Sequence, residues 1–431
     1  MKIAILTMFN GLSNTYSLVN VVAEQLSMFL VDHIEVKLLV SEHCPDYERS
    51  NIFKDKRIEW IKIINSINGI PFHWKTYSAT NNKISTTFES EVDLIANDYV
   101  RYLSDVDICI MHDILYQGVH LLHNVAIRKA QKKLPRVHFL SFTHSAPAEY
   151  VETTYPINCM YQGMDNTTFI YPTQSGLAAL SKQYHINLNQ CSCINNSIDV
   201  TIGMKDESKH IGKYIDYSKS DILIIYPGRL NTSKRFHTIA QFAGTFKRVF
   251  HKSIAIIFCD FPSADIDSSL YKFMIRDLGY KSGLEEKDIL FTSDCGFPYG
   301  VKRETVLELF SISNLFICPS YSESFGLTVI EAASRGNLIV LNEAVPALAE
   351  IGSDLKAYFM RWSAKNFGYD TYESYHPSEE DYYIQHARNI IIEMNNNPVI
   401  HSKTLARTRY SNKCIYESQL KPLLIATKKV D

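Results

Sequence analysis

The chain has 431 residues, 46% hydrophobic and 21% charged, and its 44 basic and 46 acidic residues leave a net charge of −2. That length exceeds one ordinary core and suits two domains of roughly 200 residues each, and the apolar share excludes global disorder. So balanced a charge gives no global argument for a nucleic-acid partner, which would need a local basic patch.

Nine cysteines are scattered without a Cys-x-x-Cys spacing, and Cys109, Cys259 and Cys318 fall in or beside apolar runs where cysteine acts as a small hydrophobe. The expectation is a reduced, intracellular chain without structural zinc; the close pair Cys191 and Cys193 is read as no metal site. The opening MKIAILTMF lacks the long apolar core of a signal peptide, and no run of about 18 apolar residues occurs, so a cytoplasmic protein without a transmembrane segment is expected. Asn, Ile, Lys, Ser and Tyr are plentiful while Gly and Ala are sparse, a bias typical of an AT-rich genome.

In chain order, KIAILT (2–7) leads to a helical pattern over 17–30 and then to IEVKLLV (34–40). VDICIMH (106–112) leads to a helix near 119–133 and to VHFLSFTH (137–144). TTFIYPT (167–173) leads to a helix over 174–184. Strands alternating with helices point to a parallel sheet covered on both faces. The pattern lapses into polar residues over 199–220 and then restarts. DILIIYPG (221–228), SIAIIFCD (253–260), DILFTSD (288–294), NLFICPS (314–320) and NLIVLNE (337–343) read as the strands of a second doubly wound domain. The expected domains are 1–205, 206–400 and a helical segment 401–431 packing back toward the first domain. Two such α/β domains would enclose an interdomain cleft at the carboxyl ends of their strands, where ligands of open α/β sheets bind.

Two stretches carry chemistry. In PSYSESFGLTVIEAASRG (319–336), Pro319 and Ser320 end a strand and a helix is expected from about Phe325 to Arg335. Its first N–H groups suit a phosphate, and Gly326 permits close approach to that backbone. Glu331 lies eight positions after Glu323, roughly 10–12 Å along a helix. An ordinary helix-start acid and a solvated helix acid would read the same way, but Glu331 sits between LTVI and AA, where an unpaired acid is costly. The second stretch, YPGRLNTSKR (226–235), places Gly228, Arg229 and Lys234 on a strand-to-helix loop. Arginine forks onto phosphate oxygens and lysine acts as a point charge, so the loop suits a diphosphate, although alone it reads equally as a solvated basic turn.

Together these stretches resemble the retaining GT-B glycosyltransferases with a Glu-x7-Glu signature, the glycosyltransferase family 4-like group, over roughly 221–355 and more loosely over 1–200. The resemblance implies that Arg229 and Lys234 neutralise the donor diphosphate and that Glu323 faces the donor sugar. It further implies that Ser324, Phe325, Gly326 and Leu327 contact sugar and phosphate, and that Glu331 binds ribose hydroxyls. Catalytic roles are thus expected for Glu323, His144, Arg229 and Lys234, with Gly11, Gly228 and the backbone of 324–327 binding the donor. INNSID (194–199) is similar to the family's turn before the linker, with Asn196 and Asp199 kept. FTHSAP places His144 where many members carry a histidine, and MFNGLSN (8–14) keeps only Gly11 of a Gly-rich first loop. Arg235 stands where the family usually has glycine.

The resemblance implies transfer with retention from a nucleotide-diphosphate sugar, with no cofactor and no metal. The strings Asp105–Asp107 and Asp265–Asp267 would suit a metal-dependent transferase, but the first precedes a strand and the second lies in a polar loop. His112 rivals His144, and His112, Asp113, Arg128 and Lys132 are acceptor-side candidates. AIRKAQKKLPR (126–136) forms a basic helix face and KDKRIEWIKI (54–63) adds cations around Trp60; either is a solvated surface or a dock for an anionic partner. The AT-rich bias and the unusual first loop resemble phage-encoded members that modify DNA. The expected acceptor is therefore 5-hydroxymethylcytosine in duplex DNA, in a host cytoplasm. A cell-surface glycan or lipid-linked saccharide is the alternative, and a non-catalytic nucleotide-sugar binder the reading of another class. A pyridoxal-phosphate phosphorylase lacks its lysine here, and a nicotinamide dehydrogenase lacks Gly-x-Gly-x-x-Gly after KIAILT.

Overall fold

The computed structural model describes residues 1–67, 70–71, 86–149, 151–264, 266–362, 365–366, 369–370 and 379–428. Contacts divide the chain into one unit of Met1–Ile198 with Asn412–Asp431 and a second unit of Asp199–Ser411. The first boundary thus falls before the expected 205/206 and the second after the expected 400/401.

The first unit is built on seven parallel strands: β1 (Lys2–Leu6), β2 (Glu35–Ser41), β3 (Ile58–Ile63), β4 (Ile108–His112), β5 (His138–Phe142), β6 (Thr167–Tyr171) and β7 (Cys191–Cys193). Their order is β3-β2-β1-β4-β5-β6-β7. Register is set with Ile3 beside both Val36 and Ile108. Helices α1 (Ser17–Val31), α2 (Phe88–Leu103), α3 (Leu121–Gln131) and α4 (Leu177–Tyr184) make the crossovers. Because both faces of the sheet are covered, its strands are apolar throughout rather than alternating: Ile3, Ala4, Ile5 and Leu6 are all fully buried. Ile3 and Ile5 join one core with α1, while Ala4 and Leu6 join another with α2 and α3.

The second unit repeats the logic around one core. Six parallel strands, β8 (Ile222–Arg229), β9 (Ile254–Phe261), β10 (Ile289–Phe291), β11 (Leu315–Cys318), β12 (Leu338–Asn342) and β13 (Tyr358–Met360), lie in the order β10-β9-β8-β11-β12-β13. Its helices are α5 (Asp206–Ile211), α6 (Phe236–Phe250), α7 (Ser268–Ser282), α8 (Arg303–Ile312), α9 (Leu327–Ser334), α10 (Pro346–Leu355), α11 (Glu379–Asn396) and α12 (Pro398–Arg409). Both expected Rossmann-like domains are therefore present. Strand order reverses between β1 and β4 in the first unit and between β8 and β11 in the second, the positions at which doubly wound sheets accept ligands.

The last segment belongs to the first unit. Helix α13 (Asn412–Ile415) passes through a π turn at Tyr416–Leu420 into α14 (Lys421–Lys428). Ile415, Tyr416, Leu420 and Leu424 are buried in the core that also holds Phe29. Tyr416 Oη and Lys421 Nζ donate to the two oxygens of Asp32 at 2.6 and 2.9 Å, and Gln419 exchanges two 2.8 Å hydrogen bonds with Asn195. The Tyr416 hydroxyl, then Lys421, hold the Asp32 carboxyl below its ordinary range.

Candidate functional site

The switch point of the second unit brings the two predicted stretches together. The loop leaving β8 carries Asn231, whose side chain accepts from the Ser233 N–H at 2.8 Å and starts a single 3-10 turn over Thr232–Lys234. The loop leaving β11 carries Tyr321, whose N–H donates to the Ser233 carbonyl at 2.9 Å. Tyr226 Oη, buried at the end of β8, donates to the Lys234 carbonyl at 3.0 Å and lies 3.2 Å from Ser320 Oγ. With the two loops thus tied, Lys234 Nζ reaches Glu323 Oε1 at 2.5 Å. The pair is partly buried, with side-chain exposures of 30% for Lys234 and 16% for Glu323, so each group keeps a face on solvent. Arg229 ends β8 exposed, and among the described residues it has no ion-pair partner. Gly228 is half-buried, and a Cβ there would meet only ordinary contact with Phe236 at 3.5 Å, so packing does not demand glycine at that position.

Arg235 occupies the place where the resembled family usually has glycine. Its φ of 54° is the left-handed conformation that glycine adopts freely, which gives the physical reason for that preference. Here the side chain is 7% exposed and its guanidinium lies 4.4 Å over the Tyr321 ring. It braces the two loops against each other and offers no free cation to a ligand.

Helix α9 begins at Leu327, two residues later than expected, because Gly326 adopts φ 87° and ψ 57° as its N-cap. A Cβ on Gly326 would lie 3.0 Å from Val329 Cγ2 and 3.3 Å from Leu348 Cδ2. Conformation and packing thus require this glycine whatever approaches its backbone. Phe325 and Leu327 are 49% and 66% exposed at the helix start. Glu331 is expected to be costly if left unpaired, and it has a partner within the protein: Arg303 Nε donates to Glu331 Oε1 at 2.6 Å. Arg303 is 72% exposed against 14% for Glu331, so this partner comes from the solvent side. Glu331 Oε2 has no partner among the described residues.

In the first unit, strand ends β4 and β5 place His112, Asp113 and His144 side by side. His112 Nδ1 lies 2.8 Å from His144 Nε2, and His112 Nε2 lies 3.0 Å from Gln25 Oε1 on α1. His112 is fully buried, so it does not present itself to a ligand as expected; burial and the neighbouring His144 hold its pKa well down. His144 is half-buried, and burial lowers its pKa against the opposing charge of Asp113. Asp113, 5% exposed with φ 58°, accepts from the His144 N–H at 2.9 Å and from Gln117 Nε2 at 3.4 Å. Burial raises its pKa. One carboxylate oxygen ties the end of β4 to the end of β5 and the other holds Gln117 in the loop after β4, which is a structural task rather than that of an acceptor base.

Three more expectations change. A carboxylate stands beside Gly11 where phosphate was expected: Glu48 Oε2 accepts from the Leu12 N–H at 2.8 Å and would lie 3.0 Å from a Cβ on Gly11. A carboxylate already holds that amide. Arg128 is not part of a surface patch; it donates to Asn124 Oδ1 and to the carbonyls of Cys159, Gln162 and Gly163, and burial lowers its pKa. Lys129 pairs with Asp93, which leaves Lys132, Lys133 and Arg136 exposed. In the second basic stretch Arg57 pairs with Asp55 at 2.7 Å and Lys62 with Asp46 at 3.2 Å.

The two aspartate strings divide. Asp105 accepts from Lys2 at 2.6 Å and Lys37 at 2.7 Å, and Asp107 accepts from the Lys2 N–H at 2.8 Å. Asp267 caps α7, while Asp265 lies outside the described residues. Cys191 and Cys193 are free thiols in β7, and Asp199 Oδ1 caps its own turn by accepting from Thr201. Among the described residues no helix is long and apolar enough to cross a membrane.

Sequence reasoning missed Gln25, Glu48, Arg303 and Tyr321. Gln25 alone left a signal, a polar residue inside the apolar stripe formed by Leu18, Val22, Leu26 and Phe29.

Residues 213–361, within the second unit, match the family model for glycosyl transferases group 1. No curated protein matches the chain. Among solved structures, a glycosyltransferase from Rickettsia africae is 14% identical with a TM-score of 0.36, and the match covers 100% of both chains. The Anabaena protein HepE in complex with UDP is 12% identical with a TM-score of 0.35 over 98% of this chain and 99% of that one. The lipopolysaccharide outer core galactosyltransferase WaaB is 12% identical with a TM-score of 0.34 over 99% and 100%. Likenesses this weak say nothing about activity.

Proposed function

We propose that the chain is a retaining, metal-independent glycosyltransferase that moves a sugar from a nucleotide-diphosphate donor to an acceptor hydroxyl. The observation that carries this reading is the Lys234–Glu323 contact at the switch point of the second unit, whose strand β8 ends in an exposed Arg229 that has no carboxylate partner among the described residues. The family match over 213–361 supports it.

Departure of the donor diphosphate builds negative charge on the leaving oxygen. Arg229, Lys234 and the first N–H groups of α9 supply positive charge for it. In the free protein Lys234 and Glu323 neutralise each other, and a partly exposed ion pair of this kind is worth about 0–1 kcal/mol. Exchanging it for diphosphate on Lys234 and sugar hydroxyls on Glu323 therefore costs little. The remaining oxygen of Glu331 accepts from a ribose hydroxyl, with Arg303 retained or displaced into solvent. Within the first unit, His144 is the proposed substrate contact.

For the acceptor, the structure changes the weighting. Duplex-DNA binders engage many phosphates, and affinity rides on that number. With Arg128 buried and Arg57, Lys62 and Lys129 paired to carboxylates, a glycan or lipid-linked saccharide takes first place. Duplex DNA bearing 5-hydroxymethylcytosine remains the second reading, carried by exposed Lys132, Lys133 and Arg136.

Nucleotide release measured over a panel of nucleotide-sugars, with and without modified DNA and with saccharide acceptors, tests both levels. Release from one donor, stimulated by a saccharide, is the expected result. Stimulation by DNA alone would reverse the order of acceptors. Donor binding without release from any donor would favour a non-catalytic nucleotide-sugar binder and overturn the transferase reading.

A further inference from the structure

The side chains of Gln25, His112 and His144 form a chain of hydrogen bonds that runs from the middle of α1, through a fully buried His112, to a half-buried His144 at the end of β5. Each link constrains the next. Gln25 is 5% exposed, and its amide oxygen faces His112 Nε2 at 3.0 Å. An amide oxygen only accepts, so His112 must carry its proton on Nε2. His112 is fully buried and its ring has no carboxylate contact among the described residues, so a second proton on it would be a buried uncompensated charge. Its Nδ1 therefore holds a lone pair. That lone pair faces His144 Nε2 at 2.8 Å, which must then donate. The rings of His112 and His144 lie 21° from coplanar and Phe142 stacks beside them, so rotation of either ring is resisted by packing. Asp113 holds the His144 backbone N–H at 2.9 Å and fixes the residue's position. What remains is His144 Nδ1, which has no hydrogen-bond partner among the described residues.

We propose that Gln25 and His112 are positioning residues that hold His144 in its Nε2–H tautomer, so that His144 Nδ1 accepts a hydrogen bond from a substrate hydroxyl. This rests on the glycosyl-transfer reading for the identity of the substrate as a polyhydroxylated saccharide. It goes beyond that reading by assigning direction: His144 recognises a hydroxyl as acceptor and does not donate to a ring or phosphate oxygen. The alternative direction, with His144 presenting an Nδ1–H, would suit an anionic oxygen instead.

The test is nitrogen NMR of the full chain with 15N-labelled imidazoles, His144 being assigned by its loss in His144→Gln. The wild type should show His144 protonated on Nε2. Gln25→Glu places a carboxylate against His112 Nε2 and favours a His112 imidazolium, which donates from both nitrogens; His144 should then switch to the Nδ1–H form. His112→Asn keeps an oxygen able to accept from His144 and should retain the wild-type tautomer, whereas His112→Leu should lose the preference. In nucleotide release, Gln25→Glu should lower kcat about tenfold, the worth of one hydrogen bond, with the donor KM unchanged. His112→Asn should recover most of the rate that His112→Leu loses. An Nδ1–H form of His144 in the wild type, or a tautomer unmoved by Gln25→Glu, overturns the relay. A switched tautomer with unchanged kcat overturns the positioning role. A wild type that releases no nucleotide removes the glycosyl-transfer reading, while the NMR readout still decides the relay.

Discussion

At the scale of residues, the candidate donor site depends on exchangeable ion pairs. Lys234 and Glu323 hold each other at 2.5 Å, and Glu331 is held by Arg303 at 2.6 Å. Lys234→Ala should reduce kcat by a factor on the order of 10²–10³, the usual cost of losing one preorganised charge stabiliser, and Glu323→Ala should abolish detectable release. Circular dichroism on both variants should show an intact fold, because neither side chain belongs to a core. The Glu331 pair gives a sharper contrast. Glu331→Ala should raise the donor KM about tenfold through a lost hydrogen bond to the ribose. Arg303→Ala should leave that KM unchanged or lower it, since Arg303 competes for the same carboxylate. Equal increases in both variants would mean that the ion pair itself is needed and that Glu331 does not reach the donor.

At the scale of elements, α9 is set by its ends. Gly326 starts it in the left-handed region against Val329 and Leu348. Gly326→Ala should destabilise the second unit by about 1–2 kcal/mol, read as a lowered Tm, because a side chain there pays the left-handed penalty. At the other end Lys403 on α12 donates to the carbonyls of Arg335 at 2.7 Å and Gly336 at 3.4 Å, capping α9 with a cation. Burial, then the nearby Arg407, lowers the Lys403 pKa to about 8. Unfolded lysine keeps its proton to higher pH, so between about 8 and the ordinary lysine range the unfolded state binds more protons. Stability from this group should therefore rise with pH across that window. Chemical denaturation of wild type and Lys403→Met at a series of pH values should show the upward slope only in the wild type.

At the scale of the whole molecule, the chain leaves its first unit at Ile198 and returns to it at Asn412. The returning helices complete a core rather than decorate it, since Ile415, Tyr416, Leu420 and Leu424 are all buried among first-unit residues. Each such side chain contributes roughly 1.5–3 kcal/mol, and together they approach the net stability of an ordinary domain, about 5–15 kcal/mol. A chain ending at Ser411 should keep a folded second unit and lose the first. Limited proteolysis should then cut selectively within 1–198, and calorimetry should lose one of two transitions.

Much of the architecture was legible in the amino-acid order alone. Short uniformly apolar runs such as IAIL and ILII, too short for helices, read as strands buried on both faces, and their alternation with helical patterns points to parallel sheets. That the loops of Lys234 and Glu323 belong to one site was also legible, because both follow strands and strand ends at a switch point converge; their direct ion pair was not. What the sequence could not determine is which charges are already spent. Arg303 lies 28 positions from Glu331 and Glu48 lies 36 from Leu12, and no local pattern relates them. Arg128 and Lys132 look alike on a helical wheel, yet one is enclosed by the carbonyls of 159–163 and the other is exposed. His112 and His144 both end strands, and only the packing of α1 puts Gln25 behind the first, while the second keeps a ring nitrogen without a partner among the described residues. Backbone periodicity is a local property and survives translation into sequence. The partner of a charge or of a ring nitrogen is set by long-range packing, and only the tertiary structure decided it.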